Sequence, residues 1–163
     1  MGEMVEVDLR RFILDGDFAG VRPGRTKKWL RENFPTADED YDTGHGMSIE
    51  TYGDFEFLFE RDLNISIFCD SFSAYGAGKL SVGRNLLFKP WFFESGNRHS
   101  LSEIETILNQ NTASFSVKFD KRLECANLRV LKSGVNLHFD IIDAENGEDA
   151  LFILTAMGLV SEE

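Results

Sequence analysis

Short stretches in which apolar and polar residues alternate recur along this chain, and this is the pattern of strands that bury one face. The clearest is Phe55-Glu56-Phe57-Leu58-Phe59-Glu60, in which three phenylalanines share a face. Similar stretches, bounded by Gly, Asp or Ser, predict consecutive antiparallel hairpins. The further predicted strands are residues 47–51, 64–70, 114–119, 127–131, 135–141 and 151–154, with a tight turn at Ser133-Gly134.

The loop between the first two predicted strands decides which side chains face each other. A two-residue loop, Gly53-Asp54, sets Glu50 opposite Phe57. A three-residue loop that also includes Tyr52 instead sets Ile49 opposite Phe57. We expect the longer loop, with a bulge.

Apolar residues at helical spacing predict three helices. The first covers residues 5–14 and stops at Gly16, and the second covers about 25–33 and ends before Pro35. A capping box at its start predicts the third helix, Ser100–Gln110. Helices together with consecutive hairpins predict an α+β fold, a mainly antiparallel sheet packed with two or three helices. A chain of 163 residues predicts a single domain, 1–163.

Charge narrows the function classes. The chain has 28 acidic against 17 basic residues, a formal net charge of −11. A negative field of this size repels phosphate backbones and anionic membranes, and it speeds encounter with a basic protein surface. We therefore expect no direct nucleic-acid partner and no membrane partner. Acidic composition is also an ordinary way to remain in solution, so charge alone identifies no partner.

The N-terminal sequence and the positions of the cysteines predict the cellular compartment and the state of the thiols. Residues 1–6 contain neither a basic nor an apolar leader, and no uncharged apolar run is long enough to span a bilayer. We expect a cytoplasmic protein. Cys69 and Cys125 stand in apolar stretches far apart, outside any CxxC pair, which predicts buried free thiols.

No arrangement of residues predicts catalysis, a metal or another cofactor. Gly76-Ala77-Gly78-Lys79 resembles the end of a phosphate-binding loop, but Ser73 replaces the first glycine and Leu80 follows the lysine. His138 shares a strand face with Asp140, and two ligands are too few for a zinc site. We expect His138 on the solvent side of an edge strand. The enzymatic alternative is a hydrolase that joins a carboxylate to His45, His99 or His138 from distant segments.

Two segments before the third helix are assigned from composition. Residues 71–83, rich in Gly, Ser and Ala, predict an irregular crossing. Trp91-Phe92-Phe93 predicts packing in the core, since adjacent aromatics are more often divided between the core and a covering helix than exposed as an anchor.

Residues 36–46 predict an exposed loop in which four carboxylates surround one tyrosine. Such a cluster suits a partner surface lined by lysine or arginine, although a charge run between two elements is usually only solvated. Two glutamates on the outer side of the Phe-rich strand extend the acidic surface. The candidate binding residues are Asp38, Glu39, Asp40, Tyr41, Asp42, Glu56 and Glu60.

The first 70 residues or so are similar to a group of bacterial proteins. The segments Asn33-Phe34-Pro35, Tyr52-Gly53-Asp54-Phe55-Glu56-Phe57 and Asn64-Ile65-Ser66-Ile67 resemble immunity-type proteins of contact-dependent and other polymorphic toxin systems, with an echo in residues 135–140. The resemblance implies a non-catalytic protein that binds a cognate toxin and blocks its active site or substrate groove. Many such toxins are basic nucleases. The resemblance assigns no site residue.

An acidic immunity protein that binds a cationic toxin is therefore the leading hypothesis. The alternative from another class is a scaffold or ligand-binding module of a different pathway, including a homo-oligomer joined through strand edges.

Overall fold

An antiparallel sheet of eight strands dominates the computed structural model, which describes residues 4–72, 80–94, 98–142 and 151–162. The helices are α1 (Leu9–Asp15), α2 (Lys27–Asn33) and α3 (Leu101–Gln110), with a short 3-10 helix at Trp91–Glu94. The strands are β1 (Glu6–Asp8), β2 (Glu39–Gly44), β3 (Met47–Tyr52), β4 (Phe55–Glu60), β5 (Leu63–Cys69), β6 (Leu87–Lys89), β7 (Phe115–Asp120), β8 (Cys125–Val130), β9 (Asn136–Ile142) and β10 (Leu151–Val160). The predicted α+β fold is confirmed.

The strand order of the large sheet is β2-β3-β4-β5-β10-β9-β8-β7. Two runs of consecutive hairpins, β2 to β5 and β7 to β9, lie on either side of β10, which pairs with β5 and with β9. The short strands β1 and β6 form a separate parallel pair. Within the described ranges, β2 and β7 are the two edge strands of the large sheet.

Phenylalanine side chains form the centre of the core on one face of the sheet. Phe55, Phe57 and Phe59 of β4 are all fully buried. Phe12 of α1 packs edge-on against Phe55, and Phe18 packs against Phe57 at a ring distance of 5.2 Å. Burying each such side chain contributes about 1.5–3 kcal/mol, so this face holds the N-terminal half of the fold together.

The predicted helices form, and side-chain caps define their starts. The Ser100 hydroxyl accepts the Glu103 N–H at 3.1 Å, which confirms the capping box of α3. Gly16 ends α1 in the left-handed region at φ 74°, as predicted. The first helix begins at Leu9 and not near residue 5, because Asp8 caps it and the preceding residues pair with β6.

The prediction of a loop over residues 36–46 is wrong. Residues Glu39–Gly44 form strand β2, which pairs with β3. Gly44, His45 and Gly46 all have positive φ and reverse the chain between these strands. The expected exposure is nevertheless found, since every residue of β2 is exposed.

The predicted register of the next hairpin is also wrong. Tyr52 pairs with Phe55 and Glu50 pairs with Phe57, so the loop is the two-residue Gly53-Asp54. Gly53 has φ 59°, and a Cβ there would overlap the backbone of residues 81–83. Only glycine fits this turn, and the turn fixes the shorter loop.

Several smaller predictions are settled as well. Ser133-Gly134 lies in a turn between β8 and β9, with Gly134 N–H bonded to the Val130 carbonyl at 2.8 Å. Phe93 is buried, as expected for the aromatic cluster. His138 is not on an edge strand, because β9 lies between β8 and β10. The phosphate-loop-like residues 76–79, and most of the predicted crossing at 71–83, lie outside the described residues.

Candidate functional site

Strand β2 divides the predicted binding residues between the two faces of the sheet. Glu39 and Tyr41 lie on the face opposite the phenylalanine core, and the Tyr41 hydroxyl donates a hydrogen bond to the Glu39 carboxylate. Asp40 and Asp42, the alternate residues, lie on the face covered by α2. Asp38 precedes the strand and contacts other loops. The seven candidates thus do not form one surface.

Four of the candidates come together on the uncovered face. Thr51 of β3 lies between Glu39 of β2 and Glu56 of β4 in the strand register. Ile49 lies in the same way between Tyr41 and Leu58. Phe68 of β5 lies directly beside Glu56. We call this surface the open-face strip; it consists of Glu39, Tyr41, Ile49, Glu56, Leu58, Glu60 and Phe68.

The open-face strip combines exposed rings with carboxylates. Tyr41 and Phe68 are 49% and 38% exposed. Within the part of the chain that the structure describes, none of the strip's three glutamates forms an ion pair with a basic side chain. Partial burial and the neighbouring Asp70 raise the pKa of Glu56 above its ordinary value. A positive charge placed on this surface would relieve that unfavourable interaction.

The other three candidates are used inside the molecule. The Asp38 carboxylate accepts the backbone N–H of Gly53 at 2.8 Å and lies 3.6 Å from Nε of Arg84. Asp42 accepts the N–H of Gly44 at 2.8 Å. Asp40 pairs with two cations of α2, described below. These carboxylates stabilise the local fold and are less free to meet a partner.

A second polar site, which the sequence did not predict, lies between α2 and the hairpin β2–β3. Three residues of β3, namely Ser48, Glu50 and Tyr52, face the core side and are at most 8% exposed. A cleft of about 490 Å³ opens beside Glu50 and Tyr52. We call it the α2 cleft. Its lining residues are Leu30, Arg31, Phe34, Pro35, Thr36, Ala37, Asp38, Glu39, Asp40, Glu50 and Tyr52.

Burial dominates the electrostatics of the α2 cleft. Glu50 is only 6% exposed and lies opposite Asp40. Burial, and to a smaller extent the Asp40 charge, raises the pKa of the Glu50 carboxyl, against a smaller opposing effect of Lys27 and Arg31. Those two cations pair with Asp40 instead, at 3.6 Å and 3.8 Å. Glu50 is therefore a buried acid whose charge is poorly compensated.

Tyr52 lines the α2 cleft and is almost fully buried. Its hydroxyl donates to the Pro35 carbonyl at 3.0 Å, and burial raises its pKa. Its ring packs against Phe34 with the centroids 5.3 Å apart. The hydroxyl is thus committed to structure and is not poised to act as an acid or a base.

The register error hid this site from sequence reasoning. With the longer loop, Ile49 would face the core, and Ser48 and Glu50 would point to solvent. The signal that could have found the site is the Gly53-Asp54 dipeptide, because glycine at the first position suits a two-residue hairpin turn with positive φ.

The three histidines lie on separate elements. His45 is in the β2–β3 turn, and His99 is buried before α3, 3.3 Å from Glu103. His138 accepts or donates hydrogen bonds with Asn127 at 2.8 Å and Asp140 at 3.2 Å. Across the described ranges, no three His, Cys, Asp or Glu side chains lie close enough together to hold a metal ion.

Comparison with known proteins identifies no relative: no family model matches the chain, and searches of curated proteins and of solved structures give no match. Among the residues that the structure describes, no helix has the length and apolar character needed to cross a membrane.

Proposed function

We propose that this protein is a non-catalytic immunity protein of a contact-dependent or other polymorphic toxin system, and that it binds a cationic toxin domain in the bacterial cytoplasm. The observation that carries the proposal is the open-face strip, where Glu39, Glu56 and Glu60 surround the exposed rings of Tyr41 and Phe68. The resemblance of the first 70 residues to immunity-type proteins supports the toxin as partner.

The chemistry of the strip suits tight binding to a basic surface. Exposed aromatic side chains act as anchors, because they bury a large area at a small cost in side-chain entropy. The carboxylates supply charge complementarity, and the net charge of −11 steers a basic partner toward the protein. On a nuclease toxin, these carboxylates would occupy positions that substrate phosphates take. Binding there blocks the toxin without any chemical step.

The test is co-expression with the product of the gene immediately upstream, scored by growth and by affinity purification. The wild-type chain should rescue growth and form a complex that weakens as salt is raised. The triple variant Glu39→Lys, Glu56→Lys, Glu60→Lys should lose both rescue and complex. A matched triple reversal away from the strip, Glu6→Lys, Glu105→Lys, Glu124→Lys, should retain both. An upstream product that is not toxic and forms no complex would overturn the proposal.

A homo-oligomeric scaffold is the second candidate, and the far edge of the sheet favours it. Phe119 on edge strand β7 is 60% exposed, and Leu123 in the following turn is 68% exposed. Apolar side chains beside an unpaired edge are typical of strand-to-strand association. Sedimentation equilibrium of the wild-type chain and of Phe119→Lys decides the matter, because only an oligomer joined through this edge would dissociate in the variant.

A further inference from the structure

Glu50 is the acid of the α2 cleft that no basic side chain pairs with among the described residues. Of the four acidic residues that line it, Glu39 directs its side chain to the other face, and the Asp38 carboxylate is bonded to the Gly53 N–H. Asp40 and Glu50 remain, and the two nearby cations, Lys27 and Arg31, both pair with Asp40. Arg31 approaches Asp40 at 3.8 Å, beyond hydrogen-bond distance, and its side chain is 67% exposed. Both cations are therefore directed to Asp40, which leaves the Glu50 carboxylate able to attract a further cation.

Glu50, on the cleft side of β3, lacks a protein partner among the described residues. Within the described residues, the Glu50 carboxylate makes no hydrogen bond and no ion pair; the residue is only 6% exposed, and its carboxylate oxygens are reached by solvent from the cleft. A nearly buried carboxylate that faces a cleft and has no protein partner is a candidate ligand site.

The walls of the cleft are apolar and aromatic. Phe34 and Tyr52, nearly perpendicular to each other, stand beside Glu50, and Leu30 of α2 completes that side. A carboxylate next to aromatic rings suits a planar delocalised cation, which donates two parallel N–H groups to the carboxylate and packs its face against a ring. A compact, strongly hydrated metal ion gains no favourable contact from apolar walls.

We propose that the α2 cleft binds a guanidinium group, with the Glu50 carboxylate as its hydrogen-bond acceptor, Asp40 as a second negative charge, and Phe34 and Tyr52 as its aromatic wall. The site lies on the covered side of edge strand β2, whereas the open-face strip lies on the other. The inference therefore does not depend on the proposed function.

The experiment titrates methylguanidinium chloride into ¹⁵N-labelled protein at constant ionic strength and follows backbone amide shifts. Saturable shifts should appear in α2, β2 and β3. Affinity should fall at least about tenfold in Glu50→Gln, since a charge-assisted hydrogen bond is lost. The exposed Glu6→Gln in β1 makes the same charge change at a distance and should bind as the wild type does.

Parallel probes define the ligand chemistry. Methylammonium, which has no planar face, should bind more weakly, and calcium chloride should cause no saturable shift. A Gly-Arg-Gly peptide separates two sources of the guanidinium: binding at least as tight as methylguanidinium assigns the site to an arginine of a protein, and exclusion of the peptide assigns it to a free guanidino compound. Either result upholds the site.

Three results would overturn the proposal. They are no saturable shift with methylguanidinium, equal affinity in Glu50→Gln, and binding of methylammonium or calcium as tight as that of methylguanidinium. A measurement on the wild-type chain keeps the test valid even if the variant does not fold. Methylguanidinium should lower the pKa of the Glu50 carboxyl, which a pH titration of its ¹³Cδ chemical shift measures. A pKa that methylguanidinium does not change would count against the site.

Discussion

The carboxylate of Asp38 accepts the backbone N–H of Gly53 at 2.8 Å, although the two residues are 15 positions apart. The same carboxylate lies within hydrogen-bond distance of the Arg84 N–H, at 3.3 Å. One side chain thus joins the start of β2, the β3–β4 turn and the segment before β6. Asp38, which the sequence suggested as part of a binding loop, therefore stabilises the fold.

We expect Asp38→Ala to destabilise the protein by about 1–3 kcal/mol, because two backbone N–H groups lose their acceptor. The neighbouring Glu39→Ala removes the same charge from the exposed face and should change the free energy of unfolding by less than about 0.5 kcal/mol. Urea denaturation of both variants measures the difference. Equal effects would show that the Asp38 contacts contribute nothing.

A second prediction tests the same contact from its other side. Gly83 has φ 82°, and a Cβ at this position would overlap the Asp38 carboxylate. Gly20 has a similar φ of 88° but nothing within 4 Å of its Cβ position. Both alanine variants bear the backbone cost of about 1–2 kcal/mol, so Gly83→Ala should be less stable than Gly20→Ala by a further 1–3 kcal/mol or so. Thermal unfolding that ranks the two variants equally would contradict the contact.

The buried Glu50 makes a pH-dependent prediction. Its pKa in the folded state is raised above the ordinary value of 4.5. The folded protein then binds more protons than the unfolded chain in the window above pH 4.5, so the wild type loses stability as pH rises through that window. The Glu50→Gln variant has no carboxyl at this position and does not show this loss of stability.

The stability of Glu50→Gln relative to the wild type should therefore increase from about pH 4.5 upward, until Glu50 is fully ionised in the folded wild type. Chemical denaturation at a series of pH values measures it, with Glu6→Gln as the exposed control that should show no such trend. A difference that stays constant with pH would show that Glu50 has an ordinary pKa.

The open-face strip predicts an aromatic anchor. If the strip binds a toxin as proposed, Tyr41→Ala should weaken that complex by about 2 kcal/mol or more, as for a central interface residue. Met4 is exposed to nearly the same extent as Tyr41, 48% against 49%, and lies away from the strip. Met4→Ala should leave the affinity unchanged. Biolayer interferometry with the purified product of the upstream gene, the proposed toxin, compares the two variants, and an unaffected Tyr41→Ala complex would place the interface elsewhere.

We expect Cys69 to react slowly with thiol reagents in the folded state. Cys69 is fully buried, and burial raises its pKa to about 12. The reactive thiolate is therefore scarce near pH 8, and a thiol reagent such as DTNB should label Cys69 only after denaturation. Rapid labelling of Cys69 in the native protein would show that this strand opens readily.

Some parts of this fold are readable from local sequence and others are not. The Phe-rich alternation of β4 and the capping box of α3 are local signals, and both give the right element. Strand β2 escapes prediction because its Glu, Asp and Gly residues are those of a solvated loop, and only pairing with β3 makes it a strand. The end of β10 escapes because an irregularity between Leu154 and Ala156 interrupts its alternation.

The candidate site is less predictable for a related reason. Matching apolar residues across the β3–β4 hairpin favours Ile49 opposite Phe57, yet the structure places Glu50 there. A polar residue at a core position conflicts with the hydrophobic pattern, and such conflicts are typical of functional sites. Alternate residues of β2 point to opposite faces, so Glu39 and Tyr41 lie on one face and Asp40 and Asp42 on the other. This division can be predicted only once the segment is known to be a strand.

The position of β10 between β5 and β9 sets the order in which the molecule can be assembled during synthesis. The hairpins β2 to β5 and β7 to β9 can each form as their residues leave the ribosome, because their partners are neighbours in sequence. They become one sheet only after Leu151–Val160 has been made, since that strand follows all the others of the sheet along the chain. Until then, the nascent protein exposes two unpaired strand edges that need protection from aggregation.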